Sequence, residues 1–172
     1  MRKFEAITQK AAGLVRKHDT RDPFQLAREL GIHVEYADYF GKLKGMYMVV
    51  RRNRFIYLNN KLDERTLRIV CTHEIGHDQW HRDLAAAGAF REFMLYNMPT
   101  RQEYEANIFA AEVLLETDEV LRLIYEDDYD IVQIANAMNS DINLVALKVA
   151  HLRNLGYQLT LFEHRSDFLK KY

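Results

Sequence analysis

Residues 70–80, VCTHEIGHDQW, place His73 and His77 four residues apart, with Glu74 directly after the first. On a helix, residues at that spacing share one face, about 6 Å apart along the axis. Both imidazoles can therefore turn a ring nitrogen toward one ion about 2.0–2.1 Å away. Glu74 is rotated by one residue and misses that shell. It can instead lie beside a water that zinc activates, take the water's proton as a carbonyl is attacked, and pass it to the leaving amine. The chemistry is metal-assisted peptide hydrolysis, with Glu74 as the catalytic residue. The plain alternative is an amphipathic helix with three polar surface residues, since the pattern is short. The apolar stripe before it and the small Gly76 favour the metal reading.

A catalytic zinc site usually has three protein ligands and one open position. His81 continues the series, but His73 and His81 would lie about 12 Å apart along a helix, too far for one ion. His81 suits the last helical turn or a supporting position. Asp83 stands ten residues after His73, as a third ligand does in some zinc peptidases. Trp80, however, occupies the place where a glycine would break the helix. The other route is a second helix, TRQEYEANIFAAEVLL, whose buried face is Ala106, Phe109, Ala110 and Val113. Glu103 sits at the edge of that face. Glu105 is expected to point with Glu112 away from the core. Small residues at 106, 110 and 111 would let this helix press closely on its neighbour, and Asn107 could hydrogen-bond a ligand histidine. A capping box, Thr100-x-x-Glu103, is the structural alternative for Glu103. Glu103, Glu105 and Asp83 therefore stay open as third ligand, with Glu103 favoured. Cys71 lies about 200° round the helix from His73 and should face the core.

The elements that must hold these residues are legible in outline. Phe4, Ile7, Ala11, Leu14 and Val15 follow a helical period. Asp22, Pro23 and Gly31 are start and stop signals for a second helix. IHVEY alternates like a strand, and GMYMVVRRNRFIYLN reads as a hairpin turning near Arg52 and Asn53. One hairpin strand is the nearest candidate edge for an extended peptide. Asp63 can cap the helix that runs to about His81, with Leu67, Val70, Cys71 and Ile75 as its stripe. Residues 82–99 suit a functional or covering loop. After the helix from Thr100, three helical pieces are expected near 118–126, 130–138 and 141–154, and YQLTLFEH alternates like a short strand. Strands early and helices late make a helix-rich α+β fold.

HEIGHDQWH (73–81) and EYEANIFAAEVLL (103–115) together resemble the ImmA/IrrE family of metallo-endopeptidases. That family pairs a His-Glu-x-x-Gly-His helix with a later E-x-x-A-x-x-F-A helix. The weaker flanks, GKLKGMY…IYLNNKLDERTLRIV and IVQIANAMNSDINLVALKVAHLRNLGY, extend the likeness over most of the chain. The resemblance implies a zincin-like peptidase domain spanning 1–172, with 117–172 as a C-terminal helical extension. It matches His73, His77 and Glu103 to the zinc ligands and Glu74 to the catalytic glutamate. It also implies a cytoplasmic enzyme acting on a transcriptional repressor of a mobile element or phage-like region. Here LLETDE replaces the family's Leu-Met-Pro step, so the following loop is expected to differ.

Composition sets limits on other functions. The 172 residues carry a formal charge of -1, which argues against a general affinity for nucleic acid or anionic membrane. A lone cysteine excludes an internal disulfide and suits the cytosol. No apolar run is long enough for a membrane span or signal peptide. Two competing readings are a DNA-binding regulator, with residues 130–154 as a helix-turn-helix, and a metal-bound adaptor that does not cleave. The second of those helices shows few cations to neutralise phosphates, and an adaptor has no use for Glu74.

Overall fold

Several helix starts in this chain are made by short polar side chains placed where free backbone N–H groups need acceptors. The computed structural model describes residues 2–87, 90–92, 98 and 100–159, and the chain divides into two compact units, 1–114 and 115–172. In the first unit, α1 (Arg2–His18) buries Ile7, Ala11 and Leu14. Asp22 Oδ1 accepts from the Gln25 amide at 2.8 Å to begin α2 (Pro23–Glu29). Gly31 follows that helix at φ +69°, a left-handed position that favours glycine. Next come β1 (His33–Ala37), β2 (Gly45–Val50) and β3 (Asn53–Asn59). Asp63 Oδ1 accepts from Thr66 N at 3.0 Å to open α3 (Glu64–Trp80). The unit closes with α4 (Arg82–Ala87), β4 (Phe90–Glu92) and α5 (Arg101–Leu114).

The strands form one sheet in the order β1-β3-β2-β4. β1 runs parallel to β3, while β2 is antiparallel to both β3 and β4. The hairpin turns at Arg51 and Arg52, with φ of 47° and 67°, one residue earlier than expected. Two positive φ values match the twist of a two-residue hairpin. The expectation that a hairpin strand forms the sheet edge is corrected in part: β3 is interior, and β4 covers β2 along Gly45–Tyr47. The expected covering loop at 82–99 is likewise corrected in part, because it contains α4 and β4.

On the buried side of the hairpin, Tyr47 pairs with Ile56, and Gly45 with Leu58. α3 packs against β2, β3 and α5, and α5 packs against α1 as well. Every residue of α3 from Ile69 to Asp78 is buried as a result. Ile69, Val70 and Ile75 each contribute about 1.5–3 kcal/mol by leaving water. Two glycines permit the close approaches. A Cβ at Gly45 would stand 2.4 Å from Val70 Cγ1. One at Gly76 would meet Ala106 Cα at 3.0 Å. Gly76 thus serves the crossing of α3 and α5.

The second unit holds α6 (Thr117–Tyr125), α7 (Ile131–Ala137) and α8 (Ile142–Asn154). Asp130 and Gln133 form a reciprocal capping box at α7, and Asp141 Oδ1 accepts from Asn143 N at 2.8 Å at α8. The buried Lys148 ammonium donates to Thr117 Oγ1 at 2.8 Å, tying α8 to the start of α6. The strand expected at YQLTLFEH lies largely outside the described residues. The fold is α+β, with the strands early in the chain. No described helix is long and apolar enough to cross a membrane.

Candidate metal centre

The crossing of α3 and α5 at Gly76 and Ala106 brings three side chains to one point. His73 Nε2 lies 3.1 Å from His77 Nε2 and 3.1 Å from Glu103 Oε2, and His77 Nε2 lies 3.5 Å from the same carboxylate oxygen. Three vertices of a tetrahedron with bonds of 2.0–2.1 Å would lie about 3.3–3.4 Å apart. The triangle has the size that a metal ion requires, and among the described residues this is the group that could hold one.

The outer partners of the two rings decide which ring nitrogen faces the centre. His73 Nδ1 is 3.0 Å from Asn107 Oδ1, which can only accept, so the Nδ1 carries the proton. His77 Nδ1 is 3.0 Å from His81 Nδ1, and His81 Nε2 is 3.1 Å from Glu105 Oε2. The Glu105 carboxylate, as an acceptor, places the His81 proton on Nε2. His81 Nδ1 is then the acceptor for His77 Nδ1–H. Both histidines therefore turn Nε2 lone pairs inward, beside a carboxylate. Three electron-rich atoms so close repel one another unless a cation lies among them. Burial pushes the His77 imidazole down to about 4, against the opposing pull of the Glu103 carboxylate. The ring is thus neutral at neutral pH, the form that binds metals.

The two histidine side chains are 0% and 1% exposed, and Glu103 is 17% exposed, so solvent reaches the centre along the carboxylate. The Phe90 ring of β4 stacks on His77 with centroids 4.1 Å apart. Glu74 is buried and turned toward β2: its Oε1 lies 2.9 Å from where a Cβ on Gly45 would be. It stays out of the ligand triangle, as the one-residue rotation requires.

Several expectations about neighbouring residues change. Glu105 does not point away from the core. It is 1% exposed and held by His81 and, at 2.7 Å, by Arg101 Nε. Glu105 to Val113 are buried all round because α5 packs against both α3 and α1. Asp83 is exposed on α4 and outside the cluster. Thr100 Oγ1 accepts from Glu103 N at 3.3 Å, one half of the expected capping box, while the Glu103 carboxylate is engaged at His73. Cys71 is buried as expected, and burial raises its thiol pKa further from reactivity.

Sequence reasoning passed over Asp78. Its buried carboxylate accepts from Tyr47 Oη at 2.7 Å, Arg54 Nη1 at 3.1 Å and Arg82 Nη2 at 3.0 Å. Arg54 Nη2 also donates to the Leu30 carbonyl. Asp78 thus fastens α3 to β2, β3 and α4 one residue after His77. Its only local signal was Arg82, four residues on.

The chain matches the Peptidase M78 family model, described as an IrrE N-terminal-like domain, over residues 27–149, which contain both helices of the centre. It is also 32% identical over 143 residues, 83% of this chain and 85% of the relative, to a protein of Bacillus phage phi105 named uncharacterized immunity region protein 2. The family match spans well over half of the chain and agrees with the resemblance carried by the two motifs: this protein belongs to the M78 peptidase family, with its IrrE N-terminal-like domain.

Proposed function

We propose that this chain is a zinc-dependent endopeptidase with His73, His77 and Glu103 as metal ligands and Glu74 as catalytic base. The observation that carries this reading is the convergence of His73 Nε2, His77 Nε2 and Glu103 Oε2, each about 3.1–3.5 Å from the others. Two nitrogens and one oxygen in a tetrahedral fragment suit zinc. Bound there, zinc would supply Lewis acidity toward a water and a scissile carbonyl. Glu74 accepts the proton of the attacking water and delivers it to the leaving amine. Asn107 and His81 keep the ligand rings turned inward, and the partly exposed Glu103 marks the side from which substrate arrives.

The substrate we propose is a helix-turn-helix transcriptional repressor in the cytoplasm. The phage relative's name, taken from an immunity region, supports that setting, as does a lone, buried cysteine. DNA binding by α7 and α8 has less support. Lys148 and His151 are buried, which leaves Arg153 as the exposed cation of α8, and duplex DNA needs phosphate-neutralising cations.

The test is Glu74→Gln against wild type, both loaded with zinc and incubated with any helix-turn-helix repressor found encoded near this protein's gene. Glu74→Gln should keep its zinc and its fold and lose about 10²–10⁴-fold in cleavage. Undiminished cleavage by Glu74→Gln, or no zinc on the wild type, would rule the mechanism out.

A further inference from the structure

We propose that His81 and Glu105 form a buried strut that sets the tautomer and orientation of His77 and thereby tunes the metal affinity of the centre. This rests on the metal-ligand reading above and extends it to two residues outside the ligand triangle. The strut is continuous. His77 Nδ1 meets His81 Nδ1 at 3.0 Å, His81 Nε2 meets Glu105 Oε2 at 3.1 Å, and Glu105 Oε1 meets Arg101 Nε at 2.7 Å. His81 is 4% exposed and Glu105 1%, so water does not readily substitute for either contact.

His81 can reach back because the helix ends there. Its backbone leaves the helical region at φ -132°, ψ 21°, while its amide still donates to the His77 carbonyl at 2.8 Å. Both the backbone and the ring of His81 are therefore tied to His77. The direction of the hydrogen bonds follows from the far end. A carboxylate only accepts, so Glu105 requires Nε2–H on His81. That leaves His81 Nδ1 as an acceptor, which requires Nδ1–H on His77 and frees its Nε2 for the metal. Without the strut, the His77 proton can sit on Nε2, and the ring then presents a donor to the ion.

Asn107 does the same for His73 in one step. The strut takes two steps because the His81 ring lies between His77 and Glu105. Its positions have distinct jobs: His81 transmits the constraint, Glu105 originates it, and Arg101, 65% exposed, closes the outer end.

The experiment compares wild type with His81→Leu, His81→Gln, Glu105→Met and the control His77→Ala. It reads zinc affinity by competition with a chromophoric chelator, apo-protein thermal stability, and the His77 tautomer in long-range 1H–15N spectra of the apo protein. His81→Leu should lose about 10–100-fold in zinc affinity. Its His77 should shift from the Nδ1–H form to a mixture. His81→Gln, whose amide oxygen can accept from His77 while its NH2 donates to Glu105, should recover most of that loss. Glu105→Met removes the acceptor at similar volume and should weaken zinc binding in the same direction, which keeps the test decisive if His81→Leu folds poorly. Wild-type affinity and an Nδ1–H His77 in both His81→Leu and Glu105→Met would overturn the strut. So would a His81→Gln variant as weak as His81→Leu at equal apo stability. If wild type binds zinc and His77→Ala does not, such a result sinks the strut alone. If wild type itself binds no zinc, the metal reading falls and the strut falls with it.

Discussion

From Ile69 to Asp78, α3 buries every residue, and five of them are polar: Thr72, His73, Glu74, His77 and Asp78. α8, in the C-terminal unit, buries two polar side chains, Lys148 and His151. The partners differ in kind. On α8, the Lys148 ammonium donates to a hydroxyl, an ordinary pairing of donor with acceptor. On α3, His73 and His77 instead turn ring nitrogens toward each other and toward a carboxylate, three groups that each ordinarily accept at those atoms. Donor matched to acceptor signals architecture, and acceptor facing acceptor signals a ligand. A buried polar residue therefore says little by itself. What its partners leave unbalanced says more.

The sharpest break of that contrast is metal content. His73→Ala or His77→Ala should take bound zinc from about one per chain to near zero, while Lys148→Met should leave it unchanged. Metal analysis decides this, and equal zinc in all three would dissolve the distinction. Next in size, Glu103→Ala should reduce zinc affinity by more than the roughly 10–100-fold loss typical of an outer partner. Asp83→Ala should not reduce it at all. A damaging Asp83→Ala would return the third ligand to α4.

Asp78 tests the architectural side of α3 itself. Its carboxylate is fully buried, and removing it strands Tyr47 and the partly buried Arg54. Asp78→Ala should cost about 3–5 kcal/mol in urea unfolding of the apo protein. A change below 1 kcal/mol would mean the network is dispensable. The smallest effect belongs to the C-terminal unit. Asp130→Ala breaks the α7 capping box and should cost about 1 kcal/mol with zinc affinity untouched.

Much of the fold was legible because its signals are local. Asp22 and Asp63 accept the backbone hydrogen bonds that start their helices, as expected. The hairpin was displaced by one residue only, since Arg51 and Arg52 adopt positive φ despite lacking the usual glycine or asparagine. Sheet order was not legible. The parallel pairing of β1 with β3, and the arrival of β4 beside β2, join segments far apart in sequence. For that reason the cover that β4 gives Gly45–Tyr47 was not foreseen.

For the centre, the spacing of His73, Glu74 and His77 by itself determined which residues share a helix face and which is turned off it, because 3.6 residues per turn allow nothing else. The second motif placed Glu103 at the edge of a buried helical face by the same rule. The tertiary structure alone decided what helical periodicity cannot encode. With α1 and α3 both packed on α5, Glu105 is drawn inside, where a one-sided amphipathic reading turned it out. The bare Cα of Gly76 lets α5 come close enough for Glu103 to reach both histidines. The end of α3 at His81, rather than its continuation, folds that ring back onto His77. The first two are contacts between segments, set by packing distance, and sequence periodicity carries no term for distance between elements; the third turns on where α3 stops.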